Sequence, residues 1–211
     1  MLAGWFALVT ILAALSYASR FTAGKPPADT LYRYGTAISG LIFYAVTLAV
    51  VLWLGSVLPR HRLGLRQPAS WSRALGLAVA LLIAVLIVEV ALESILHAGR
   101  EQGLEPPRWE PDRAVPFALN AAVLVIAAPV VEELTFRGVG FALLAPFGAW
   151  VAISGTAAAF AADHGLVAGF LPLFVFGLAI ATLRWRTRSV YPGMLFHACF
   201  NGLALAFAFI R

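Results

Sequence analysis

Residues 74–97 read ALGLAVALLIAVLIVEVALESILH, an apolar run in which Glu89, Glu93 and His97 are the ionisable side chains. Crossing the hydrocarbon core of a bilayer as a helix takes about 20 such residues, and this stretch supplies them. Further apolar runs flank it at 2–18, 35–58, 115–131 extending toward 145, 149–163, 166–183 and 190–210. Together they predict an all-α, polytopic transmembrane bundle of about seven helices, within a range of six to eight.

Composition excludes the alternatives. Of 211 residues, 62% are hydrophobic and only 12% charged, where soluble domains carry about a quarter charged residues. Mean hydropathy is +0.89. A water-soluble core of this length cannot hide that much apolar surface, because area falls too slowly with size. The net charge of +5 does not point to nucleic acid, since the basic residues sit in short connections between apolar runs. The single cysteine, Cys199, lies inside an apolar run and can form no intrachain disulfide. Residues 1–18 lack the basic start of a signal peptide and read as a retained first span.

Orientation follows from the basic connections. Arg60, Arg62, Arg66 and Arg73 occur without an acid between them, and Arg184, Arg186 and Arg188 repeat the pattern. Both connections belong on the cytoplasmic side, which places the N-terminus inside and the C-terminus outside. Arg20, Lys25 and Arg33 then fall outside, against the rule, while the connection 99–114 mixes both signs. Pro-Pro pairs at 26–27 and 106–107 stand outside the runs, where they end helices without orphaning backbone in lipid. The chain reads as one membrane domain over 1–211, with three additional spans in 1–98.

Ionisable groups inside spans are costly and call for a partner or a role. Glu89, Glu93 and His97 share one helical face, either as acids turned inward near an interface or as part of a proton or cation path. In the second half, Val130–Arg137 places Glu132, Glu133 and Arg137 in an apolar segment. Glu133 and Arg137 stand i, i+4 and can pair, while Glu132, rotated by about 100°, is left free. His164 ends the fifth run. His197 and Asn201 stand i, i+4 on the last one, facing protein or water because lipid cannot satisfy them. Each feature alone has a structural reading, as a polar cluster, a helix terminus or an interhelical hydrogen bond.

As a set they suit hydrolysis. Glu132 is placed to take a proton from water, with one histidine orienting that water and the other, with Asn201, donating to an oxyanion. Glu132, His164 and His197 equally suit a divalent metal such as zinc with a water in its open position. The residues alone leave both schemes open.

Glu-Glu-x-x-x-Arg at 132–137, Phe-x-x-x-His at 160–164 and His-x-x-x-Asn at 197–201, with Thr187–Pro192 leading into the last, resemble the three motifs of the CPBP family. These are the CAAX prenyl endopeptidase and bacteriocin-processing intramembrane proteases, also called the ABI or type II CAAX protease family. The resemblance covers about 115–205. It implies peptide-bond hydrolysis in the membrane, with Glu132 as catalytic glutamate and Glu133 with Arg137 as supporting pair. It further implies that His164 helps activate water, and that His197 and Asn201 bind water or stabilise the oxyanion. Metal-dependent and metal-free glutamate mechanisms have both been attached to the family. Departures are small: Asp163 precedes the motif histidine, and Ser189 stands where the family often has Gly-Ser. In a straight fifth helix His164 lies about 22 Å from the start, and His197 only about 10 Å into the seventh, so tilt, a kink or a re-entrant start has to bring them together.

The expected protein is thus an intramembrane endopeptidase in a prokaryotic cell membrane, with the lipid bilayer and a membrane-presented peptide or protein as partners and no nucleic acid. The alternative is a non-proteolytic immunity or scaffolding protein of the same fold. A proton-coupled transporter using Glu89 and Glu132 is weakened by the lack of an inverted repeat.

Overall fold

The computed structural model describes residues 1–24, 26–98, 101 and 108–208. Seven helices run through it: α1 (Leu2–Ala23), α2 (Tyr34–Gly55), α3 (Trp71–Leu96), α4 (Pro111–Phe147), α5 (Ala149–Asp163), α6 (Phe170–Thr187) and α7 (Tyr191–Phe207). Among the described residues there is no strand. Lys25, the pair at 106–107 and part of the mixed-charge connection 99–114 lie outside the described residues.

Five of the seven, α1, α2, α3, α4 and α6, are long and apolar enough to cross a membrane. The lipid-facing character is clearest in α3, where only 11% of the most apolar window is buried. Val79, Ile83, Ile87 and Val90 stand exposed on it. Apolar side chains on the outside of a bundle require a hydrocarbon solvent, so this is an integral membrane protein. The polar groups collect inside instead: Glu133 and Arg137 are fully buried.

The remaining two helices, α5 with 15 residues and α7 with 17, are too short for that length criterion. A 15-residue helix is about 22 Å long, less than the roughly 30 Å hydrocarbon thickness. The polar end of α5, Asp163 and His164, therefore falls within the thickness of the bundle rather than at a far surface. α5 packs on α1, α4 and α6, and α6 lies between α3, α5 and α7. Trp5, Phe136, Phe160, Phe176, Ile180 and Leu183 form the centre of the core.

α4 carries the first motif and is not a uniform helix. It widens into π turns at Val123–Ala127 and again at Leu134–Gly140, with Glu132 and Glu133 on the short α segment between them. In the first wide turn the Ala128 N–H bonds the Val123 carbonyl. The next donor in that register would be residue 129, a proline with no N–H, which leaves the Leu124 carbonyl without a helical partner. In the second, side chains from other helices take exposed carbonyls: the Trp5 indole donates to Thr135 at 2.9 Å and the Arg184 guanidinium to Arg137 at 3.0 Å. Wide turns survive in a membrane protein only when such donors arrive.

Several boundaries differ from the hydropathy reading by a few residues, and two of the shifts have a visible cause. α1 continues to Ala23 rather than ending at 18, because Arg20 finds the Glu101 carbonyl and need not break the helix. α6 starts at Phe170 rather than 166; residues before it form a turn held by the Glu101 carboxylate, which accepts from Val167 N at 2.8 Å and Gly169 N at 2.9 Å. At the end of α3, His97 has φ of 52°. It closes the helix, so Glu89, Glu93 and His97 do not continue one helical face.

Candidate active site

The buried ion pair read from the i, i+4 spacing is present. Arg137 Nη1 lies 3.0 Å from Glu133 Oε1, with both side chains fully buried. Arg137 also donates through Nη2 to the Gly177 carbonyl at 3.1 Å, and its guanidinium lies 4.5 Å from the centre of the Phe160 ring. A charge buried in a low-dielectric bundle persists only with such partners.

Glu133 has a second task. Its Oε1 lies 3.3 Å from His197 Nδ1. A carboxylate paired with arginine accepts, so Nδ1 is the donor in this contact and Nε2 is the ring nitrogen left for another partner. That Nε2 points toward Glu132 Oε2, 3.8 Å away. α7 can bring His197 this close because residue 193 is glycine: a Cβ there would lie 3.0 Å from Glu133 Oε2.

Glu132 is buried and, contrary to the sequence reading, not left without a partner. The Tyr44 hydroxyl of α2 donates to its Oε1 at 2.8 Å. Its Oε2 is buried without a hydrogen bond. Tyr44 thus fixes the orientation of the carboxylate and leaves one oxygen facing His197. At 3.8 Å the oxygen and nitrogen are too far apart to bond directly and close enough for one water to contact both.

His164 closes α5. Its Nδ1 lies 2.8 Å from the Phe160 carbonyl, which can only accept, so its Nε2 is the free acceptor. The depth difference expected between the histidines is bridged by Phe160, whose ring lies 4.6 Å from the His164 ring and 5.6 Å from the His197 ring. Phe176 flanks His197 at 5.0 Å, giving the site an aromatic wall. Asn201 donates from Nδ2 to Leu124 O at 2.8 Å, filling the carbonyl that Pro129 leaves unpaired. One amide N–H is thereby used and one remains.

Two residues join the site without having been candidates. Tyr44 is the first; its only signal in sequence is a hydroxyl in the middle of an apolar run. Asp163 is the second. Its Oδ1 is buried without a hydrogen bond, next to His164 at the end of α5.

A catalytic zinc usually takes three protein donors and a water. Glu132 and His197 supply two converging donors. Among the described residues no group of three or more His, Cys, Asp or Glu side chains is placed to hold an ion. The set Glu132, His164 and His197 is therefore not assembled as a three-ligand site.

Residues 114–203 match the family model described as type II CAAX prenyl endopeptidase Rce1-like. The match bears out the resemblance read from the three motifs. It spans α4 to α7 and leaves α1–α3 outside. No curated protein and no solved structure matches the chain.

Proposed function

From the premise that residues 114–203 are of the Rce1-like CAAX protease family, we propose that this protein is an intramembrane endopeptidase that hydrolyses a peptide bond in a membrane-associated peptide or protein. The observation that carries the reading is the gap between Glu132 Oε2, buried without a hydrogen bond, and His197 Nε2 at 3.8 Å.

A water in front of this gap donates one hydrogen bond to Glu132 Oε2 and the other to His197 Nε2, turning its oxygen toward a substrate carbonyl. Glu132 removes its proton as the oxygen attacks the carbonyl carbon. The second N–H of Asn201 donates to the oxyanion that forms. Glu132 then returns the proton to the amide nitrogen, the C–N bond breaks, and a carboxylic acid and an amine leave. His164, its Nδ1 held by the Phe160 carbonyl, stands beside the same Phe160 ring that flanks His197 and orients the aromatic side of the site. Glu133 holds the His197 tautomer and, with Arg137, fixes the segment carrying both carboxylates. A prenylated substrate requires a host that makes one; the chemistry above needs only a peptide presented at this depth. The basic stretches Arg60–Arg73 and Arg184–Arg188 face the cytoplasm in this reading.

The test is cleavage of a peptide library by the purified protein in liposomes, against the Glu132→Ala variant. Defined fragments from the wild type and none from the variant support the reading. Equal cleavage by both refutes the role of Glu132, and cellular function retained in both Glu132→Ala and His197→Ala favours a binding protein of the same fold.

A further inference from the structure

At one end of the bundle lies a cavity of about 440 Å³ that the hydrolytic site does not use. His61, Arg62 and Arg66 line it from the α2–α3 connection, Arg184 and Arg188 from the end of α6, and Phe141 from α4. The arginines find backbone carbonyls: Arg66 Nε donates to Arg188 at 3.2 Å, and Arg184 Nη2 to Arg62 at 2.8 Å. Carbonyls orient these heads but carry no net charge. Among the described residues no ion pair includes any of the five basic residues, and Arg66 and Arg184 repel one another. Arg184 is buried, while His61, Arg62, Arg66 and Arg188 are exposed around it, so the lining is an accessible, purely positive surface that attracts anions.

The cavity is built rather than incidental. Gly64 has φ of 73°, and a Cβ there would lie 2.5 Å from Arg184 Nε, so only glycine lets the connection close over the guanidinium. The Gly64 carbonyl accepts from Val190 N at 3.0 Å, joining the two basic connections. Arg184 also lies 5.1 Å from the Phe141 ring, which makes the floor apolar.

The surroundings identify the depth. Trp53, Trp150 and Trp185 are exposed, at 73%, 78% and 40%, and stand near the end of α2, the start of α5 and the end of α6, where the chain runs into the cavity lining. Exposed tryptophans gather where a protein surface meets lipid headgroups. Arginine forks match phosphate oxygens with two parallel hydrogen bonds, and basic pockets between membrane helices hold anionic headgroups. We propose that this cavity binds the phosphodiester headgroup of an anionic glycerophospholipid, with His61, Arg62, Arg66 and Arg188 holding the phosphate and Arg184 tying the site to α4. The inference is independent of the proteolytic reading.

The test is retention of dioleoylphosphatidylglycerol and of dioleoylphosphatidylcholine by the detergent-solubilised full chain, counted by native mass spectrometry. One phosphatidylglycerol should be retained at least tenfold more tightly than phosphatidylcholine, and Arg66→Gln with Arg188→Gln should lower its retention five- to tenfold or more. Arg73→Gln, an exposed cation outside the cavity, should leave it unchanged. Equal retention of the two lipids overturns the proposal, as does loss of the same size in Arg73→Gln, which would mean general surface charge. Displacement of the lipid by millimolar inorganic phosphate, or by a peptide with a free but not an amidated C-terminus, also overturns it, assigning the cavity to a soluble anion or to a substrate carboxylate.

Discussion

His197 Nδ1 lies 3.3 Å from Glu133 Oε1, and this contact divides the labour of two adjacent carboxylates. Glu133, shared between Arg137 and His197, is structural and directs the histidine; Glu132, held by Tyr44 from behind, keeps an oxygen free.

Glu133→Gln should therefore act through the fold. It leaves the Arg137 cation buried without its counter-ion, and breaking a buried pair costs about 3–5 kcal/mol. Thermal melts in detergent should show a large loss of stability. A variant that melts like the wild type would contradict the pairing role, whatever its activity.

Tyr44→Phe removes one hydrogen bond to a carboxylate and little else. Such bonds contribute about 1.5–3 kcal/mol, which corresponds to a fall in kcat of about ten- to a hundredfold. KM should change little, and the melting temperature should fall by several degrees. An unaltered kcat would show that Glu132 does not depend on Tyr44 for its orientation.

Asn201→Ala leaves the Leu124 carbonyl unpaired, at a cost of about 1–3 kcal/mol. Replacing Pro129 by alanine in that background gives α4 a backbone donor of its own. The double variant Pro129→Ala/Asn201→Ala should regain part of the lost stability and none of the lost activity. Recovery of both would mean that Asn201 serves the helix alone.

Acid should loosen the turn before α6. Burial pushes the Glu101 carboxyl up, but the N–H groups of Val167, Gly169 and Ala168, aided by Arg20, outweigh it and hold the group below its usual range. A lowered pKa means that the stabilisation is complete above the ordinary glutamate value and is lost as pH falls through the folded-state value. Melting temperature followed from neutral to acid pH should show this step in the wild type and a smaller one in Glu101→Gln. Identical profiles would remove Glu101 from the account.

Much of this architecture was legible as pattern. The apolar runs marked seven helices because a bilayer demands length and hydropathy, and the i, i+4 spacing of Glu133 and Arg137 marked their pairing because helix geometry is local. Contacts between helices left weaker traces. Nothing along α2 distinguishes Tyr44 until α4 is placed beside it. Pro129 in an apolar run signals an orphaned carbonyl, but only the packing of α7 shows that Asn201 fills it. The turn at 166–169 passed for helix because hydropathy is blind to the Glu101 side chain that holds it.

Chelation separates the two ways of activating water. With two converging donors from Glu132 and His197, cleavage should survive prolonged treatment with a chelator and dialysis. Loss of cleavage restored by zinc alone would show that a third ligand is recruited.

The most direct measurement is the initial rate on one cleaved membrane peptide, in liposomes, for the wild type and Glu132→Gln at matched thermal stability. Removing a general base should lower kcat by about 10²–10⁴ with the peptide still bound. A Glu132→Gln rate equal to that of the wild type would contradict the assignment of Glu132 as the base.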